Sequence, residues 1–244
     1  MRIRTAARVA LVGALAFTTV ATGRGVPTAA ADSSPVAESF MQIVAHQDDD
    51  ILFMNPDISR EYSDPSVTVY LTAGEATDDT WITPYYPSSC AYAESRAAGA
   101  RAAHAKIAGV SDPHWTATPL KLSSTGKTVE VDTLNEAPQV KLVFFRLHAS
   151  GDSNFIPPNS QLAANGPATL DDLFTSGPSM NLFDSTMGSI GTDGDCAAAT
   201  NNQNYGTTYG NQSFSHADLT ASLTELMQHF SPTVVLAQDP KVGF

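Results

Sequence analysis

Four side chains that can bind a metal or move a proton follow one short apolar run early in the chain. His46, Asp48, Asp49 and Asp50 stand directly after the run at 40–45. A neutral imidazole offers Zn²⁺ a nitrogen ligand and a carboxylate offers it an oxygen ligand, and a catalytic zinc usually keeps one position open for water. Carboxylates this close repel one another unless a cation neutralises them. The spacing predicts a metal site. The alternative is a solvated acidic turn before a helix that starts near Asp50.

The hydrophobic pattern predicts the strands and helices that must position these residues. Apolar runs predict strands at 40–45, 67–72, 115–122, 127–133, 140–147 and 233–237, and helical spacing predicts helices at 91–108 and 215–230. Gly109 is typical of a helix stop, and Ser215 or Ser213 of a helix cap. Strands interspersed with helices favour an α/β sandwich around a mostly parallel sheet. In such sheets the reactive groups lie beyond the carboxyl ends of the strands, which is where residues 46–50 are expected.

Composition excludes one large class of partner. The chain of 244 residues has 13 Lys and Arg against 25 Asp and Glu, a net charge of −12. Nucleic-acid binding depends on clustered basic side chains, so we expect no nucleic-acid partner. Hydrophobic residues make up 42% and charged residues 16%, which is enough apolar material for a sizeable core.

The first 31 residues have the pattern of a signal peptide. Arg2, Arg4 and Arg8 precede an apolar run at 9–20, and three alanines at 29–31 offer a small-residue cleavage site. The apolar run is shorter than the roughly 20 residues that a membrane-spanning helix needs. We therefore expect residues 1–31 to be removed and the protein to be secreted, with no membrane association after cleavage.

Residues 32–244 form the predicted mature domain. Cleavage takes away four arginines and no acid, so the net charge falls from −12 to −16. An oxidising compartment favours a disulfide between Cys90 and Cys196, with two unpaired cysteines as the alternative.

Several motifs, in order, resemble one enzyme family. The string IVAHQDDD at 43–50 resembles the A-H-P-D-D-E signature of the PIG-L/LmbE-like deacetylases, and VYLTAGE at 69–75 is similar to that family's second strand. Residues 95–110 resemble the helix of its secreted actinobacterial-type members, and 144–147 and 231–240 resemble its later strands. The resemblance covers about residues 40–240 and implies a Rossmann-like three-layer sandwich that removes acetyl groups from N-acetylglucosaminyl compounds with the help of zinc.

The resemblance also implies roles for individual residues. His46 and Asp49 correspond to zinc ligands, and Asp48 to the general base that takes a proton from the attacking water. Arg96 corresponds to an arginine that faces the substrate, with a surface or helix-stabilising charge as the alternative. The expected cofactor is Zn²⁺ or another divalent cation, and the expected substrate is a small molecule or glycan with an N-acetylated amino sugar.

Two other functions remain open at this point. A secreted carbohydrate-binding or metal-binding protein could keep this fold without turnover, and an amidase or esterase for a non-sugar metabolite could share the metal site. The first alternative is supported by departures from the family pattern. Gln47 stands in place of the family's proline and Asp50 in place of its glutamate.

The third zinc ligand is the larger departure. In the family it is a histidine after the strand that corresponds to 234–237, and the sequence ends at Phe244 before any such residue. Either the sequence is a fragment or the site is incomplete. His148, at the end of the strand predicted at 140–147, is the best internal substitute, whereas His104 and His229 are expected to be partly buried or surface residues rather than ligands.

Overall fold

A computed structural model describes residues 9–10, 37–74, 89–147, 170, 173–174, 179–181 and 212–237. Its elements, in chain order, are β1 (Val9–Ala10), β2 (Phe40–Val44), α1 (Asp49–Phe53), α2 (Asp57–Glu61), β3 (Ser66–Thr72), α3 (Ser89–Ile107), β4 (Trp115–Lys121), β5 (Thr128–Leu134), β6 (Val140–Leu147), β7 (Met180–Asn181), β8 (Ser213–Phe214), α4 (His216–Phe230) and β9 (Val234–Ala237). The six long predicted strands and both long predicted helices are therefore confirmed within a residue or two. Most of the loop region predicted between 150 and 212 lies outside the described residues.

One sheet organises the fold. Its strand order is β1-β9-β2-β3-β6-β5-β4, and β7 and β8 pair separately. The four neighbouring strands β9, β2, β3 and β6 are parallel, whereas β5, β4 and the two-residue β1 pair antiparallel beside them. Because β1 lies within residues 1–31, the segment expected to be removed, it is not part of the predicted mature domain. The predicted α/β class with a mostly parallel central sheet is confirmed. The antiparallel edge has a simple cause, since a short turn joins β4 to β5 and parallel strands would need a crossover.

Helices cover both faces of the sheet, which gives three layers. Because side chains alternate along a strand, Met41, Val67 and Val143 point to one face and pack with Leu219 and Leu226 of α4. The other face carries Val44, Tyr70, Leu142 and Phe144, which pack against Ala97 and Ala100 of α3. Strands buried on both faces are mostly apolar, and this is why their positions could be predicted from the sequence.

The ends of the long helices follow local rules. Gly109 adopts φ +76°, the left-handed conformation that favours glycine just beyond a helix. Ser215 is the N-cap of α4, and its hydroxyl and the Asp218 carboxylate form a reciprocal capping box. Of the two predicted caps, Ser215 is therefore the one used. In the part of the chain that the structure describes, no helix is both long and apolar enough to span a membrane.

The face covered by α3 also holds a buried ionic network. Glu130 and Asp132 alternate with apolar residues of β5, so both carboxylates point towards α3. Arg101 of α3 donates to Asp132 at 2.6 Å and to Glu130 at 3.0 Å. Arg146 of β6, at φ +58°, pairs with Glu94 of α3 and lies 3.7 Å from Glu130. Helix and sheet are thus joined on this face by charge as well as by packing.

Candidate metal centre

The acidic segment lies where the sequence predicts it, at the carboxyl end of β2. The strand ends at Val44 and α1 begins at Asp49, so His46 and Asp48 occupy the intervening loop. The amide of Thr72, at the end of the neighbouring β3, donates to the carbonyl of Ala45 at 3.0 Å. The loop is thereby attached to two parallel strands whose carboxyl ends face the same edge of the sheet.

His46 and Asp49 form a close pair of potential ligands. The His46 Nδ1 atom lies 3.3 Å from Asp49 Oδ2, and the His46 amide donates to the same oxygen at 2.8 Å. Burial raises the pKa of the Asp49 carboxyl, but hydrogen bonds from the side chain and backbone of His46 outweigh it and hold that pKa below its ordinary value. Asp49 therefore stays ionised in a mostly buried position, as a metal ligand must.

The donor spacing fits a zinc ion. Bonds of about 2.0–2.2 Å at a tetrahedral angle place two ligand atoms roughly 3.3–3.5 Å apart. The nitrogen and oxygen of the His46 and Asp49 pair are 3.3 Å apart without rearrangement. The spacing of this pair is compatible with both residues acting as ligands, and that role stays a prediction.

Asp48 has a partner outside this pair. Its side chain is 54% exposed and forms an ion pair with Arg96 Nη2 of α3. The same guanidinium donates through Nη1 to the carbonyl of Gly74 at 2.9 Å. Arg96 thus lies beside the loop and contacts Asp48 directly, and its contact with a substrate stays a prediction.

Asp50 does not lie with the other two acids. It is fully buried, and its Oδ2 atom lies 2.7 Å from His104 Nε2 and 2.9 Å from the Tyr70 hydroxyl. Burial, together with the nearby Asp50 carboxylate, raises the pKa of Tyr70 well above its ordinary value. The phenol therefore stays protonated and donates to Asp50.

His104 is more buried than the sequence analysis predicts. Its side chain is 1% exposed, and its Nδ1 atom is bonded to the Tyr62 hydroxyl. The signal that could have located it is helical spacing, because Ala93, Ala97, Ala100 and His104 follow one another at intervals of four, three and four on the buried stripe of α3.

Gln47 secures the loop by a different means from the family's proline. Its Nε2 atom donates to the Thr72 carbonyl at 2.8 Å, and its side chain is buried. Gly74, at φ +66°, lies against it, because a Cβ atom there would stand 2.0 Å from Gln47 Oε1. A hydrogen bond to β3 therefore replaces the backbone restraint that proline supplies.

A cavity of about 380 Å³ opens beside Asp48, between α1 and α3. Gln47, Asp48, Ser95 and Arg96 give it polar groups, and Ile51, Leu52 and Tyr92 give it an apolar wall. Its volume lies within the range of small-molecule sites, about 300–1,000 Å³.

The third metal ligand is not found in the described part of the chain. There, no group of three or more His, Cys, Asp or Glu side chains could hold a metal ion. His148 and Cys196 lie outside the described residues, so the substitute ligand and the disulfide with Cys90 both stay predictions. The described site supplies two donors, His46 and Asp49.

Comparisons with known proteins establish the family. A search of curated proteins and a search of solved structures each returned no match. The family profile described as PIG-L, GlcNAc-PI de-N-acetylase, matches residues 41–243, which include every strand and helix from the candidate site to β9. The chain therefore belongs to the PIG-L family of GlcNAc-PI de-N-acetylases.

Proposed function

We propose that this protein is a metal-dependent hydrolase that removes the acetyl group from an N-acetylated amino-sugar-type substrate, with Asp48 as the general base. Family membership indicates a deacetylase-type hydrolase that acts on N-acetylated sugars. The observation that carries the finer proposal is the exposed Asp48 carboxylate beside the His46 and Asp49 donor pair, at the carboxyl end of β2. The use of zinc, the role of Asp48 as general base and export from the cell are the parts that we propose beyond family membership.

Asp48 and Asp49 can have different roles because their side chains have different partners. His46 and Asp49 would hold the cation, with Zn²⁺ as the first choice and another divalent ion as the alternative. A bound Zn²⁺ supplies Lewis-acid polarisation of the amide carbonyl and lowers the pKa of a water ligand. Asp48 remains outside the donor pair, open to solvent, where it can exchange a proton.

Asp48 would transfer the proton, and Arg96 would hold the Asp48 side chain in position. Asp48 would take a proton from the attacking water and later transfer it to the departing nitrogen, so that the amide C–N bond breaks and acetate and a free amine are formed. The guanidinium of Arg96, fixed by the Gly74 carbonyl, restricts the rotamers of Asp48. The adjoining cavity would take the sugar or its substituent.

The signal-peptide pattern of residues 1–31 supports export, and the net charge of the mature chain bears on the class of partner. The proposed mature chain, residues 32–244, is strongly acidic, which disfavours polyanionic substrates such as nucleic acids. We therefore propose a secreted enzyme whose partner is a small molecule or a glycan.

The decisive experiment measures acetate release from N-acetylglucosamine derivatives together with zinc content. The wild type is expected to release acetate and to retain about one zinc per molecule. Asp48→Asn should lower kcat by roughly 10²–10⁴-fold with the zinc content unchanged. Asp49→Asn should lower the zinc content itself.

Asp112→Asn is the matched control, because Asp112 is an exposed aspartate in the segment before β4. It should leave both measurements unchanged. If Asp48→Asn releases acetate as fast as the wild type, Asp48 is not the base. A wild type that keeps zinc or binds sugars and releases no acetate would favour the alternative, a non-catalytic binding protein.

A further inference from the structure

Three consecutive aspartates have the same chemistry, and yet the structure sends their side chains in three directions. Asp48 meets Arg96 at the surface, Asp49 meets His46, and Asp50 enters the core. A slip of this segment by one position would bring either Asp48 or Asp50 to the position that Asp49 occupies beside His46, and so would reassign the proposed roles. Some feature outside the segment must therefore decide which aspartate is buried.

The surroundings of Asp50 provide that feature. Two donors from different elements meet its Oδ2 atom, His104 Nε2 of α3 at 2.7 Å and the Tyr70 hydroxyl of β3 at 2.9 Å. The Tyr62 hydroxyl is bonded to His104 Nδ1. The Tyr70 hydroxyl also lies 2.9 Å from His104 Nε2, so Asp50, Tyr70 and His104 form one hydrogen-bonded cluster.

The donor pair is held rigidly. His104 lies within the long helix α3 and Tyr70 within the parallel strand β3, and both side chains are fully buried. The Tyr70 ring also stacks on Phe144 with centroids 5.2 Å apart. Because a buried carboxylate needs donors, and this pair is fixed in space, only one aspartate of the three can take the fully buried position between His104 and Tyr70.

We propose that His104 and Tyr70 form a buried donor pair that sets the register of the aspartate triplet, and so assigns the roles of Asp48 and Asp49. Both are positioning residues, since neither faces the cavity or the His46 and Asp49 pair. A single buried polar contact is known to fix register in other folds. The register exists in the protein without metal or substrate, so this inference can be tested apart from the proposed function.

The first test is His104→Leu, which removes the shorter of the two contacts. The Leu52 amide donates to the Asp48 carbonyl at 2.9 Å and the Met54 amide to the Asp50 carbonyl at 3.0 Å, so exchange at these two amides reports the opening of α1 that a change of register requires. In the metal-free variant we expect their hydrogen exchange to accelerate by about tenfold or more. The dissociation constant for zinc should rise by about 10–100-fold, as for other residues that orient metal ligands.

A second variant separates positioning from direct chemistry. In His104→Leu combined with Asp50→Leu, an apolar pair replaces the buried polar pair, and residue 50 is again the one that belongs in the core. Exchange at Leu52 and Met54 and zinc affinity should return to wild-type values. If the double variant stays as impaired as the single variant, the register proposal is overturned.

Leu134→Ala serves as the control for lost stability. Leu134 is fully buried in the same apolar cluster but lies on β5, away from the loop. At a comparable loss of stability it should leave zinc affinity and exchange at the two reporting amides unchanged. Equal effects from Leu134→Ala and His104→Leu would show that general destabilisation is the cause, and would refute the proposal.

Tyr70→Phe provides an independent variant should His104→Leu fail to fold. It removes one hydroxyl and keeps the ring that packs on Phe144. It should change exchange and zinc affinity in the same direction as His104→Leu, by a smaller factor. No change in either measurement would count against the donor pair. If the wild type binds no zinc, the proposed function fails while the exchange measurements still decide the register.

Discussion

The two faces of the sheet bury different kinds of side chain. The face under α4 buries hydrocarbon and aromatic side chains, among them Val69, Phe145 and Leu226. The face under α3 buries, beside its own apolar cluster, a set of polar and charged side chains that includes Gln42, Asp50, Thr68, His104, Glu130, Asp132 and Arg146. The candidate site lies at the edge of this second, polar face.

The two faces therefore contribute differently: one mainly stabilises the fold, and the other fixes the orientation of individual side chains. Apolar contacts are non-directional, so the α4 face stabilises the fold without specifying any single orientation. Hydrogen bonds and ion pairs are directional, so the α3 face can fix where individual side chains point. The alanines of α3 help, because their small side chains allow the helix to lie close to the sheet, within reach of Asp50 and Asp132.

The largest effect is expected from the polar face. Arg101→Met leaves Glu130 and Asp132 buried without the cation that bridges them, at a cost of about 3–5 kcal/mol in the free energy of unfolding. Urea denaturation measures the loss. Arg101→Met combined with Glu130→Gln and Asp132→Asn should recover much of it, and a single variant as stable as the wild type would mean that the network contributes nothing.

The apolar face should lose stability without losing the site. Leu226→Ala empties a fully buried position of α4 and should cost about 2–5 kcal/mol. Zinc affinity, measured below the unfolding transition, should not change. A weaker affinity in this variant would show that the two faces are not independent.

A smaller effect sharpens the contrast within the polar face. Tyr70→Phe removes one donor to the buried Asp50 carboxylate and should cost about 1–3 kcal/mol. Thermal unfolding checks the loss. Tyr62→Phe is the comparison, because Tyr62 bonds to His104 rather than to the carboxylate itself. An equal or greater loss in Tyr62→Phe would contradict the importance given to the charged acceptor.

The smallest expected effect is on the pH dependence of stability, and it comes from Glu225 on the solvent-exposed side of α4. Hydrogen bonds from Ser124 and Ser123, which include both backbone amides and the Ser123 hydroxyl, lower the pKa of Glu225 from 4.5 to about 2. A carboxyl whose pKa is lower in the folded state stabilises the fold above pH 4.5, and that contribution is lost as the pH falls towards 2. Between these pH values the melting temperature of the wild type should therefore fall slightly more than that of Glu225→Gln. Parallel curves for the two proteins would contradict the assignment.

Much of the fold could be predicted because its signals are local. The apolar runs of β2, β3 and β6, the glycine after α3 and the cap at Ser215 each depend on residues close together in the chain. The position of the candidate site was predictable for the same reason, since residues 46–50 follow directly from a buried strand. The antiparallel edge at β4 and β5 was not predicted, because alternation alone does not distinguish parallel from antiparallel pairing.

The sequence by itself determined that three aspartates and a histidine stand at the end of a parallel strand. Only the tertiary structure decided which aspartate faces solvent, which meets His46 and which is buried. The partners that make this choice, Arg96 and His104, lie 48 and 54 residues along the chain from Asp48 and Asp50. Identical side chains do not differ in chemistry, so their roles were implied only by their places in the family motif, whereas the direction of each side chain follows from the partners that the fold brings to it.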